Sequence, residues 1–177
     1  MGLDEIRTLE DLKASYSGLA KEYNSRVDKE KDRALESVVK EFAEFFSRAK
    51  FDVQSSPNQV IAKYGSSSVT LNYANPFGYM GLSIRMELAV TLAAHKPQAL
   101  ILGFNSQSPS ISFSVSSSKQ QTVHEEIEAE KSKIENLKNK ISNFSAPPFK
   151  LFVKPKDSAG PFTAYGSLAD LLNEITS

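Results

Sequence analysis

The residues best placed for polar chemistry are Arg85 and Glu87, which lie two positions apart in a stretch of alternating apolar and polar side chains. In a strand, residues i and i+2 point to the same side, so the guanidinium and the carboxylate should lie close together. One carboxylate with no second acid or base at a defined distance does not make an acid–base catalyst. We therefore interpret the pair either as a surface ion pair or as an anchor for a polar partner.

The two histidines give no evidence of a catalytic or metal site. His124 precedes Glu125, but no second histidine follows one turn away, so the zinc-protease pattern is absent. His95 lies in a predicted turn and is interpreted as a loop residue, with a serine-hydrolase base as the weaker alternative. No phosphate-binding loop, dinucleotide glycine pattern or nucleophile elbow occurs in the sequence. We therefore predict that the protein is not an enzyme and that it binds neither a cofactor nor a metal ion.

The element expected to carry the Arg85–Glu87 pair is a strand over residues 81–91. Its apolar residues fall on every second position, which predicts one dry and one wet face. Further strands are expected in 51–117, and short turns join them, which favours an antiparallel meander. The alternating residues of the central strand are Leu82, Ile84, Met86, Leu88 and Val90.

Charge is distributed unevenly along the chain. Residues 1–50 carry eleven acidic and ten basic side chains, and residues 119–177 carry eight of each. Residues 51–118 carry only two acidic and three basic side chains. A charge-poor middle between charge-dense ends is typical of a sheet covered by helices. The predicted fold is α+β: a two-layer sandwich in which long helices cover one face of an antiparallel meander of about five or six strands.

Helices are predicted before and after the sheet region in the sequence. The apolar stripe of 8–50 fails near Asn24–Asp28, which indicates either one long helix with a stutter or two helices. A second helix is predicted over 119–144, and a strand and a short helix over 149–177. The heptad seam of the 119–144 helix consists of Val123, Ile127, Glu130, Ile134, Leu137 and Ile141.

The apolar seam of the 119–144 helix is narrow, as in a coiled coil, so we expect it to pack against another helix. The apolar stripe over residues 9–23 of the same chain is the preferred candidate for this partner helix. The alternative is a second copy in an antiparallel homodimer, where the acidic half of one helix would face the basic half of the other.

Three further features are candidate binding surfaces. The polar face of the sheet is expected to be rich in hydroxyl groups, Ser112 and Ser114 among them, either as a solvated face or as one that docks a partner with little charge desolvation. Phe77 and Tyr79 flank a glycine in a predicted hairpin turn. Their rings either fold back into the core or stay exposed as anchors for a partner. The lysines of 131–156 favour a nucleic-acid-associated protein as the alternative function.

Composition limits the remaining choices. The chain has 177 residues, net charge zero and no cysteine, which predicts one domain over 1–177, no disulfides and no long-range attraction to nucleic acid. Neither a signal peptide nor an apolar run of about 20 residues is present, so a cytoplasmic protein without membrane contact is expected. The predicted function is a non-enzymatic protein-interaction module, an adaptor, inhibitor or chaperone-like binder that occupies a partner surface.

Overall fold

The computed structural model describes residues 3–76, 84–93, 96–106, 122–145 and 149–176. The chain forms two compact units. Among the described residues, the helical unit comprises 3–30 and 122–145, and the sheet unit comprises 31–106, with the gaps given above, and 149–176.

The sheet unit contains a seven-stranded antiparallel meander, in which every strand pairs with its neighbours in sequence order. This confirms the predicted α+β class, with a slightly larger sheet than expected. Meanders of this kind need only short connections, and the two-residue turns after β1 and β2 provide them. The strands are β1 (Asp52–Ser56), β2 (Gln59–Tyr64), β3 (Ser67–Asn72), β4 (Ile84–Thr91), β5 (Gln98–Ser106), β6 (Phe149–Pro155) and β7 (Thr163–Tyr165).

Strand β4 is the fourth of seven and therefore the central strand, as its alternation predicts. Ile84, Met86, Leu88 and Val90 are each at most 3% exposed, whereas the residues between them are half-buried or exposed. The part of the predicted strand before Ile84 lies outside the described residues. One face of the sheet is thus apolar and buried, and we call the opposite side the outer face.

Helices close the apolar face of the sheet within the sheet unit. They are residues 31–48 of the long helix α1 (Leu3–Arg48) and the short helix α3 (Leu168–Thr176). Phe42 and Phe46 from α1 and Leu172 from α3 are fully or almost fully buried in the same core as the strand residues. Ser167 caps α3, since its Oγ accepts a hydrogen bond from the Asp170 N–H at 3.1 Å.

Helix α1 ends in a Schellman motif that leads directly into β1. Lys50 adopts a left-handed conformation with φ of 62°, and the Phe51 N–H donates to the Phe46 carbonyl at 3.0 Å. The rings of Phe46 and Phe51 pack 5.1 Å apart between centroids, which is the apolar contact that accompanies this motif. The turn therefore fixes the start of the first strand.

The helical unit pairs the first part of α1 with α2 (Val123–Ser142) of the same chain. The Arg26 Nη1 donates to the Ile141 carbonyl at 3.0 Å, and the Tyr23 and Phe144 rings pack edge to face. Thr122 and Glu125 form a capping box at the start of α2.

The two helices of this unit run parallel. Arg26 and Ile141 are in contact near the end of the unit. In each helix, most of the residues that belong to the unit precede this contact in the sequence. An antiparallel α2 would lie beside residues 27–45 of α1, most of which belong to the sheet unit. Leu9, which is buried, lies about 25 Å before Arg26 along α1, and only a parallel α2 extends that far in this direction.

Several boundaries differ from the sequence-based expectations. Helix α1 is continuous through residues 24–28, because the two out-of-phase stripes serve different units and no proline or glycine lies between the stripes. Helix α1 begins before the predicted residue 8: Thr8 lies inside it, and its Oγ1 donates to the Asp4 carbonyl. The strand expected around Ser112 lies outside the described residues. No helix among the described residues is long and apolar enough to cross a membrane.

Candidate interaction surfaces

The outer face of the sheet unit carries the Arg85–Glu87 pair that the sequence singles out. Strand alternation places both residues opposite the buried side of β4, and register pairs Glu87 with Asn72 on one side and Ile101 on the other. The Arg85 Nη2 lies 2.9 Å from Glu87 Oε1, and the two side chains are 25% and 36% exposed. The pair is therefore formed, and it is only partly open to solvent.

Lys156 adds a second cation to this pair. It follows β6, and its backbone N–H donates to the Ala99 carbonyl of β5 at 2.8 Å. Its Nζ lies 2.9 Å from Glu87 Oε2 on β4, so the side chain crosses the whole width of β5. Glu87 is thereby held by a cation at each carboxylate oxygen. We call Arg85, Glu87 and Lys156 the outer-face network.

Ile101 is an apolar residue at the centre of the outer face. It alternates with Leu100 and Leu102, which belong to the buried core, so its side chain points the other way. It is nevertheless only 7% exposed, and it lies in register between Glu87 and Lys154. The outer-face network thus surrounds a small apolar centre.

The surroundings of the network are basic and aromatic on the β6 side and polar on the β3 side. The Lys154 Nζ lies 4.9 Å from the centroid of the Phe162 ring, a cation–π contact. On the other side, an open pocket is lined by Asn72, Tyr73, Asn75 and the two members of the network on β4. Burial raises the pKa of the Tyr73 hydroxyl, which donates to the Ser56 carbonyl at 2.9 Å.

The seam of α2 lies in the helical unit. Ile127, Ile134, Leu137 and Ile141 are buried, and Val123 is half-buried. Glu130, the polar member of the seam, has a side chain only 14% exposed and an ion pair with Lys133 at 2.5 Å. The intramolecular partner for these residues is α1, whereas the homodimer stays a prediction.

Parallel pairing brings like charges together in the helical unit. Residues 3–12 and 122–130 carry eight acidic side chains and one basic, and residues 13–30 and 131–145 carry eight basic and four acidic. The acidic parts of α1 and α2 lie side by side at one end, whereas at the other end the basic part of α2 lies beside a part of α1 with four basic and three acidic side chains. Like charges within about 10 Å repel each other, and salt screens this repulsion.

We expect salt to stabilise the helical unit. Raising NaCl from about 20 mM to about 500 mM should slow hydrogen exchange in α2, because the repulsion between parallel acidic ends is screened. The measurement is hydrogen exchange with mass spectrometry on α2 peptides, with β4 peptides as the internal control. Faster exchange of α2 at high salt would indicate that attractive pairs dominate, as in an antiparallel arrangement.

Some of the predicted site residues lie outside the described residues: Phe77, Tyr79, Ser112, Ser114 and His95. Of the described ones, Arg85 and Glu87 lie on the outer face, and the seam residues lie in the other unit. Sequence reasoning missed Lys156 as a partner of Glu87, because the two are 69 positions apart. Within the described ranges, no cluster of three or more His, Asp or Glu residues could hold a metal ion.

Comparison with protein-family models, with curated proteins and with solved structures yields no match for this chain.

Proposed function

We propose that the protein is a binding module that docks another protein on the outer face of its sheet. The observation that supports this proposal is the outer-face network, in which Glu87 is held by Arg85 and Lys156 at 2.9 Å each. Charges that already neutralise one another lose less free energy when a partner excludes water than isolated charges do. A pre-organised network of this kind also costs a partner little ordering entropy.

The chemistry around the network indicates the kind of partner surface. Arg85, Lys154 and Lys156 exceed the single acid Glu87 in charge, so a partner should present acidic groups to this face. The partner should also present hydrogen-bonding groups toward Asn72 and Thr70 on β3. The protein would act by covering that partner surface, as an adaptor, inhibitor or chaperone-like binder.

The test is affinity capture from the native host with three forms of the full chain. We expect the wild-type chain to retain one dominant protein, and Lys156→Glu to lose it by about tenfold or more, because a second carboxylate beside Glu87 would repel the acidic groups of the partner. Lys40→Glu is the matched control, since Lys40 is exposed on α1 of the same unit. Circular dichroism should show that all three forms are folded.

Two results would contradict the proposal. One is equal retention of the same protein by the wild-type chain and by Lys156→Glu. The other is recovery of nucleic acid alone, with a steep loss of binding as salt rises, which is the behaviour of a phosphate-binding surface. The second result would favour the lysines of 131–156 as the binding groups.

A further inference from the structure

Among the described residues, the first strand, β1, has no strand paired to one side of its backbone. It pairs only with β2 among the described strands and forms one edge of the sheet. Four of its five residues are exposed, and Val53 is half-buried. An exposed edge strand presents a row of hydrogen-bonding groups to any extended chain that approaches it.

The register identifies which backbone groups face outward. Ser56 and Gln59 close a two-residue hairpin turn, so they form a hydrogen-bonded pair, and the pairs alternate from there. The N–H and carbonyl groups of Asp52, Gln54 and Ser56 therefore point to β2. Those of Val53 and Ser55 point to the open edge. The Phe51 N–H agrees with this alternation, because it points away from β2 and donates to the Phe46 carbonyl of α1.

An aromatic ladder runs from the core to the surface beside this edge. Phe46 is 1% exposed, and its ring packs 5.1 Å from that of Phe45 and 5.1 Å from that of Phe51. Phe51 in turn packs 5.5 Å from Tyr64, which is 62% exposed. The ladder thus offers an apolar surface that is continuous with the core and open at its outer end.

Protection against strand pairing is sparse on β1. Natural edge strands are shielded by lysine, by proline or by bulges within the strand. Strand β1 has none of the three, and its register with β2 is unbroken from Asp52 to Ser56. Its one charge is Asp52, whose carboxylate accepts a hydrogen bond from Gln54 at 3.0 Å. The register partner of Asp52 on β2 is Lys63, whose side chain is exposed and does not come within ion-pair distance of Asp52.

From these observations we infer that β1 is a second docking site, which binds an extended peptide segment of a partner protein as an added outer strand. Hydrogen bonds to Val53 and Ser55 would fix the backbone of that segment. An aromatic or branched apolar side chain would pack on Phe45 and Phe51 under Tyr64. A lysine or arginine would lie opposite Asp52. This site lies on the sheet edge and does not depend on the outer-face network.

The test uses a random decapeptide display library selected against the immobilised full chain. The informative variant is Ser55→Pro, which removes an outward N–H without removing a hydrogen bond to β2. Ser55→Ala is the matched control, because it keeps the N–H. We expect selected peptides to alternate apolar and polar residues and to include a basic residue. Their affinity should fall about tenfold or more for Ser55→Pro and stay unchanged for Ser55→Ala.

A second variant separates the side-chain contribution from the backbone contribution. Tyr64→Lys places a charge at the open end of the ladder and should weaken the same peptides, while Lys63→Ala, on the outer face of β2, should not. Hydrogen exchange of the Val53 and Ser55 amides should slow when peptide is bound. Failure to enrich any peptide would overturn the inference, and so would selected peptides that bind Ser55→Pro as tightly as the wild type. Neither result would bear on Lys156→Glu, which tests the outer face separately.

Discussion

Replacing Phe46 by alanine is expected to lower the free energy of unfolding of the sheet unit by about 3–5 kcal/mol. Phe46 is 1% exposed, and its ring contacts those of Phe42, Phe45 and Phe51 at centroid distances of 4.8–5.1 Å. Removing the ring leaves a cavity whose walls are held by a helix, so they can relax only partly. A domain of this size is stable by only about 5–15 kcal/mol, so this loss is a large share of the total.

The measurement is urea unfolding followed by circular dichroism, with hydrogen exchange to locate the change. Phe45→Ala is the matched control, because Phe45 is the adjacent residue but is only half-buried and should cost less. Protection should be lost in β4 and β5 for Phe46→Ala. Equal effects of the two substitutions would contradict the central position of Phe46 in the core.

Replacing Ile134 by aspartate is expected to unfold the helical unit while the sheet unit stays folded. Ile134 is 8% exposed in the seam between α1 and α2. Aspartate there would lose the apolar contact and bury a charge without a partner, at a cost of about 3 kcal/mol or more. A two-helix unit has few other contacts to absorb such a loss.

Ser132→Asp is the control for this prediction, since Ser132 is exposed two positions earlier on the same helix. Hydrogen exchange should become fast throughout α2 for Ile134→Asp, and strands β3 to β5 should keep their protection. Loss of protection in both units together would show that they unfold as one cooperative domain over 1–177, which is the organisation that the sequence predicts.

The sheet was predictable because its strands are long and strictly alternating. In β4, four apolar residues repeat every second position, and burial follows the same period. Strand β7 was not predictable, because Thr163–Tyr165 is too short to show a period. Its position depends on pairing with β6, which no local pattern encodes.

The contacts that build the candidate surfaces were only partly predictable. The i, i+2 spacing of Arg85 and Glu87 fixes their proximity, whereas Lys156 reaches Glu87 through the pairing of three strands. The direction of the helix pair could not be predicted either. A heptad stripe fits a parallel or an antiparallel neighbour, and the choice depends on how the chain connects the two helices.

The most direct test of the proposed function is photo-cross-linking from the outer face. A benzoylphenylalanine at Thr70 lies on that face, next to Ala89 in register, and one at Glu36 lies on α1 of the same unit. With the captured partner present, we predict a cross-linked product from position 70 and none from position 36. A product from position 36 alone would show that the partner binds the helical side and would contradict the proposed function.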